Sequence, residues 1–158
     1  MVEDIAELVA NHPVLADLPG DIASIVAGCA RNVAVASGDR LLVEGQPVDT
    51  LYLIRRGRVS LEVRSPGRGP LVIETLGPGT ATGLSWLFPP YLSRFDVRAI
   101  EPVGAIAVDA ECFRAKMEPD HTFGYALLKR FASMVLDRLE AMQLRLLDIY
   151  GDIPGRGI

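Results

Sequence analysis

Gly38-Asp39-Arg40-Leu41-Leu42-Val43-Glu44-Gly45-Gln46-Pro47-Val48-Asp49-Thr50-Leu51-Tyr52-Leu53-Ile54-Arg55-Arg56-Gly57-Arg58-Val59 is the stretch on which the fold turns. Short apolar runs are cut by glycine-bearing turns at Gly38, Gly45-Gln46-Pro47 and Gly57. Gly45 and Gly57 are placed where a tight turn needs φ > 0, and Leu41, Leu51, Leu53 and Val59 are spaced to fill one face of a sheet. Strands this short, joined by turns this frequent, pair antiparallel.

Outward from this segment the same grammar extends from Val33 to Val108. Strands are expected at 33–36, 40–43, 51–56, 58–64, 71–76, 96–101 and 103–108, with Pro66-Gly67-Arg68-Gly69-Pro70 and Gly77-Pro78-Gly79 among the separating turns. Regular spacing of this kind favours a sandwich, jelly roll or barrel. On the N-terminal side the period becomes helical. Val2, Ile5, Leu8 and Val9 form one apolar face, Asn11-His12-Pro13 breaks it, and Ile22, Ile25, Val26 and Cys29 form a second. On the C-terminal side Asp109 caps a short helix over 110–117, Pro119 stops it, and Asp120-His121-Thr122 opens a long helix to about Tyr150, which Gly151 ends. The fold class is therefore mainly β with flanking helices: an antiparallel, jelly-roll-like β-roll with short N-terminal helices and a long C-terminal helix. It divides into helices at 1–30, the roll at 33–108 and helices at 110–150, one domain over 1–150, with 151–158 a flexible tail rich in Gly and Pro.

The 158 residues, 49% of them hydrophobic and 23% charged, suit one folded domain able to bury about 70% of its unfolded surface. Apolar runs such as Ala105-Ile106-Ala107-Val108 fall far short of the ~20 residues a membrane span requires, and Met1-Val2-Glu3-Asp4 is acidic where a secretory signal is basic. No membrane association and a cytoplasmic location are the expectations. A net charge of −4 lacks the basic footprint of a nucleic-acid binder. Cys29 and Cys112 stand 83 positions apart, outside any metal or disulfide-framework spacing, and read as buried thiols. His12 and His121 are the only histidines, too few for a metal-dependent β-barrel enzyme, and no nucleophile elbow or Walker loop is present. No catalytic residue, no metal site and no required cofactor are expected.

The Gly38–Val59 stretch, with its Glu-Gly, Leu-Tyr-Leu-Ile and Gly-x-Val, resembles the signature of the cyclic-nucleotide-binding domain superfamily, the sensor fold of regulators similar to the catabolite activator protein. The order of elements over residues 12 to 150 is similar as well. The resemblance implies a phosphate-binding cassette within residues 76–99 and an effector, cyclic AMP (cAMP) or cyclic GMP (cGMP). A cyclic phosphate needs N–H donors from a helix start and a guanidinium, and its ribose 2′-hydroxyl needs a carboxylate. Gly83 and Ser85 suit the helix start. The family's glutamate is Leu84 here, a lost hydrogen bond worth about 1–3 kcal/mol. Counting back from Val97-Arg98-Ala99 puts Ser93 in the place of the family's arginine, with Arg94 one position later and Pro89-Pro90-Tyr91 inserted before them. Arg98 alternates with Val97 and Ala99 as an outward strand position. Trp86, Phe88 and Tyr91 are read as packing or a partner surface, with stacking on a base as the sharper alternative. The implied ligand residues are Gly83, Leu84, Ser85, Ser93, Arg94 and, on the long helix, Gln143, which could read a base edge through its amide.

Leu128, Ala132, Val135, Leu139, Met142, Leu146 and Ile149 form a heptad seam, beside a second stripe of Phe123, Leu127, Phe131 and Met134. Two stripes suggest two customers: the parent roll for the second and a twin helix for the seam, hence a homodimer. The eight residues after Tyr150 are fewer than the ~20 of a helix-turn-helix, so direct DNA binding is not expected. The expected role is a regulatory ligand-sensing domain. The competing reading is a protein-interaction module that kept the roll, lost the nucleotide and serves a protein partner.

Overall fold

A computed structural model describes residues 3–151. Val2 of the first apolar face and 152–158 of the expected tail lie outside them. Two short helices open the chain: α1 (Ile5–Asn11), whose Asp4 cap accepts from the Ala6 amide, and α2 (Gly20–Ala27). Eight strands follow: β1 (Ala30–Val35), β2 (Arg40–Leu42), β3 (Thr50–Arg56), β4 (Val59–Ser65), β5 (Gly69–Leu76), β6 (Ala81–Thr82), β7 (Asp96–Ala99) and β8 (Val103–Asp109). They form two four-stranded antiparallel sheets in the orders β1-β8-β3-β6 and β2-β7-β4-β5. A short helix, α3 (Ala110–Met117), and a 31-residue helix, α4 (His121–Gly151), complete the chain. This is the β-roll read from the sequence, with helix α3 at the expected boundaries.

The core lies between the sheets and is closed by α3 and the first half of α4. Leu51, Leu53 and Val59 are buried in it as their alternation requires, and Leu51 and Leu53 face Val108 and Ile106 across the β3–β8 ladder. Leu41 departs from its expected inner position. A register shift between Arg40 and Leu42 leaves Leu41 half-buried and turns Leu42 inward, since one residue of slip exchanges the faces of a strand. Strand β6, only two residues long, carries no period of its own and escaped the sequence reading. At Gly57, φ is +78° and an added Cβ would lie 2.2 Å from the Pro102 carbonyl oxygen, so this turn admits only glycine.

The two cysteines require a correction. Cys29, between α2 and β1, and Cys112, on α3, are joined in a disulfide with a Cα–Cα distance of 5.8 Å. A separation of 83 residues carries no sequence signal because the pairing is made by the roll, which brings the start of β1 beside the end of β8.

His12 ties the N-terminal helices to the roll. Its Nε2 donates to the Ile54 carbonyl at 2.8 Å and its Nδ1 accepts from the Val14 amide at 3.2 Å, a pattern only the neutral ring can satisfy. Burial, opposed by the Ile54 hydrogen bond and aided by Arg55, lowers its pKa below the usual value.

Candidate ligand-binding site

The site starts at a backbone crossing. Gly83 has φ of +94°, and a Cβ there would meet the Thr50 carbonyl oxygen at 2.7 Å, so glycine lets the chain pass against β3 and enter a one-turn 3-10 helix, Leu84–Leu87. The first bond of that turn runs from the Trp86 amide to the Gly83 carbonyl at 3.2 Å, so the Leu84 and Ser85 amides precede it and are not consumed by it.

The turn is fixed from behind by aromatic packing. Trp86 is 1% exposed, stacks on Phe113 of α3 at 5.0 Å between centroids, and meets the edge of Phe131 of α4 at 6.2 Å. Arg114 of α3 donates to the Trp86 carbonyl and lies over the Tyr91 ring at 4.2 Å. Trp86 and Tyr91 are therefore spent on packing, while Phe88 is exposed.

In front of the turn lies a cavity of about 310 Å³, bordered by Gly83, Leu84, Ser85, Ser93 and Arg94. Small-molecule sites run from about 300 to 1,000 Å³. Leu42, Leu61, Ile73, Phe95 and Val97 supply its apolar wall from the roll, and Val135, Arg138, Leu139 and Met142 of α4 close it from the other side. Its charged groups are Arg94, Arg138 and Glu74. Arg94 is exposed at the rim. Arg138 donates through Nη2 to Glu74 Oε2 at 2.9 Å and through Nη1 to the Ala81 carbonyl at 3.3 Å.

The segment carrying Arg94 is held on both sides. Gly45 donates to the Ser93 carbonyl at 2.8 Å and Ser93 donates to the Gln46 carbonyl at 2.9 Å, while the Ser93 hydroxyl is used on the Phe95 carbonyl at 2.7 Å. Beyond it, the Asp96 carboxylate accepts from the Glu44 amide at 2.8 Å and from Arg64 Nε at 3.1 Å. Burial pushes the Asp96 pKa up, but the Glu44 amide and the Arg64 and Arg40 guanidinium groups outweigh it and hold the carboxyl below its usual range. Arg98 points to the outer face of its sheet, where its Nε donates to Glu62 at 3.1 Å.

Five of the six residues singled out from the sequence thus border one cavity. Gln143 does not. It is exposed and absent from the cavity wall, because one step of about 100° from Met142 turns it away. Glu74 and Arg138 are the charged wall residues that the sequence reading missed. The signal for Arg138 was its position three residues after Val135 and four before Met142, on one helix face. Along α4 the stripe of Phe123, Leu127 and Phe131 is buried with Met134 half-buried, whereas all seven seam residues from Leu128 to Ile149 are exposed. Among the described residues no helix is long and apolar enough to cross a membrane.

A family model for the cyclic nucleotide-binding domain matches residues 32–120. Over 120 residues the chain is 28% identical to a CRP-like cAMP-activated global transcriptional regulator of Mycobacterium tuberculosis, covering 75% of this chain and 52% of the relative. The chain thus spans about half the length of the curated relatives it matches. A cyclic nucleotide-binding domain from Methylobacillus flagellatus superposes with a TM-score of 0.76 at 21% identity, covering 98% of this chain and 85% of the other. The catabolite activator protein of Thermus thermophilus superposes with a TM-score of 0.67 at 20% identity, over 88% of this chain and 63% of the other.

Proposed function

The chain belongs to the cyclic nucleotide-binding domain family, and from that premise we propose that residues 1–150 form a regulatory sensor unit whose cavity takes a cyclic nucleotide, cAMP or cGMP. One observation carries the reading: Leu84 and Ser85, whose amides precede the first bond of the turn, and Arg94 border one cavity in front of Gly83. Those are the donors a cyclic phosphate requires. Such a site binds and releases an effector rather than transforming it, which is a sensor's role and not an enzyme's.

Transmission runs through α4. The same helix closes the cavity with Val135, Leu139 and Met142 and presents them in an exposed apolar seam, so a ligand bound against α4 biases the helix that a second copy would grip. A homodimer through that seam is the proposed assembly, working in the cytoplasm.

Leu84 favours a second reading. An apolar side chain lines the cavity where the family's acceptor would be, as expected of an interaction module that has abandoned the nucleotide. Calorimetric titration with cAMP and cGMP separates the two: saturable heat supports the sensor, and folded protein with no heat at millimolar ligand supports the module.

A further inference from the structure

The cavity wall holds a single carboxylate among the described residues, and it does not come from the turn at Gly83. It belongs to Glu74 of β5, in the sheet opposite the one that leads into that turn. The Glu74 side chain is 10% exposed, and burying a carboxylate beside Leu61, Ile73 and Leu139 is costly unless it is paired. Arg138 supplies the pairing at 2.9 Å and is itself fixed by the Ala81 carbonyl. Only Oε2 of Glu74 is engaged this way. Oε1 has no protein partner among the described residues, and the group borders the cavity.

We propose that Glu74, oriented by Arg138, is the acceptor for a ligand hydroxyl in this chain, taking from β5 the role that Leu84 cannot fill. The inference rests on the sensor reading, and it specifies the ligand class: a cyclic ribonucleotide, whose 2′-hydroxyl donates to the carboxylate, in preference to its 2′-deoxy counterpart. Arg138 is the positioning residue. It links the acceptor on the roll to the helix that carries the seam, so a hydroxyl bound at Glu74 is felt by α4 through a single ion pair.

The test is calorimetry of the full chain with cAMP and with 2′-deoxy-cAMP, in the wild type and in Glu74→Leu. The wild type is expected to prefer cAMP by about tenfold or more, the loss typical of one hydrogen bond to a charged group. Glu74→Leu is expected to bring the two ligands within about twofold of each other. Because the readout is a ratio, a general change in affinity cancels. If Glu74→Leu fails to fold, Glu74→Gln keeps the size of the side chain, and its ratio is expected to fall at least threefold. Equal wild-type affinities for the two ligands overturn the inference alone, as does an unchanged ratio in the variant. No heat with either ligand retires the sensor reading and takes this inference with it.

Discussion

Residues 38–59 and residues 76–99 are neighbours in the roll, yet they answer to different demands. In the first stretch the alternating apolar residues and the turn glycines serve the core and the backbone: Leu51, Leu53 and Val59 are buried, and Gly57 sits where a side chain would strike the Pro102 carbonyl. In the second, Gly83 and Trp86 are equally constrained and Val97 serves the core and the cavity wall at once, while Leu84 and Ser85 are half-buried and Arg94 is exposed at the cavity's edge. Leu84 and Arg94, two of the departures from the family's pattern, stand at this less tightly packed edge. With Glu74 in the acceptor role proposed for it, a scaffold specified by many overlapping contacts stays fixed while the chemistry of its pocket moves from one element to another.

The comparison is broken most severely at the glycines. Gly57→Ala is expected to cost about 3 kcal/mol or more, since it adds a clash with main chain to a left-handed conformation. Gly45→Ala, also at positive φ but with nothing within 4 Å of the added Cβ, should cost only about 1–2 kcal/mol. Urea melts of the two variants give the contrast, and equal losses would show that strain alone governs these turns.

The next largest effect concerns α4, whose two stripes are a second contrast between buried and free. Leu139→Lys places a charge in the exposed seam without touching Phe123, Leu127 or Phe131. Light scattering at micromolar protein should then fall from a dimer mass to a monomer mass with the melting temperature little changed. A wild type that is already monomeric removes the seam from the mechanism. Within the cavity, Arg94→Ala should weaken cyclic nucleotide binding by about tenfold, the loss of one charge-assisted hydrogen bond, while leaving stability unaltered because Arg94 is exposed. Unchanged affinity in calorimetry would remove Arg94 from the site.

The smallest expected effect is a pH dependence carried by His12. Its pKa is lowered in the folded chain, so below about 6.5 the unfolded chain binds a proton that the folded chain refuses. Stability is therefore whole above that value and falls as the pH drops beneath it. Asp96, held low by Glu44, Arg64 and Arg40, adds a second loss only as the pH falls through the carboxylate range. Melting temperatures between pH 7 and pH 5.5 should decline in the wild type and flatten in His12→Gln, and parallel declines would assign the window to another group.

The roll was legible in the sequence because its signals repeat: apolar alternation, turn glycines and the Asp109 cap each point to the same boundaries. What escaped was what only the tertiary structure assembles. The Cys29–Cys112 disulfide joins residues brought together by the β1–β8 pairing, and the Leu41–Leu42 inversion comes from a register shift that no periodicity reveals. In the site, a contiguous cassette made Gly83, Leu84, Ser85, Ser93 and Arg94 legible. Glu74 and Arg138 were not, because a β5 carboxylate and an α4 guanidinium 64 positions apart show no partnership until the helix is laid across the roll. Gln143 shows the converse: it lies one residue off the helix face that borders the cavity.

Titrating the folded wild-type chain with cAMP and cGMP by calorimetry is the most direct test of the cavity as a nucleotide site. Saturable binding of at least one of them, at about one ligand per chain, is the predicted result. Absence of heat at millimolar concentrations of both, in protein that melts cooperatively, would contradict it and leave the fold serving a protein partner instead.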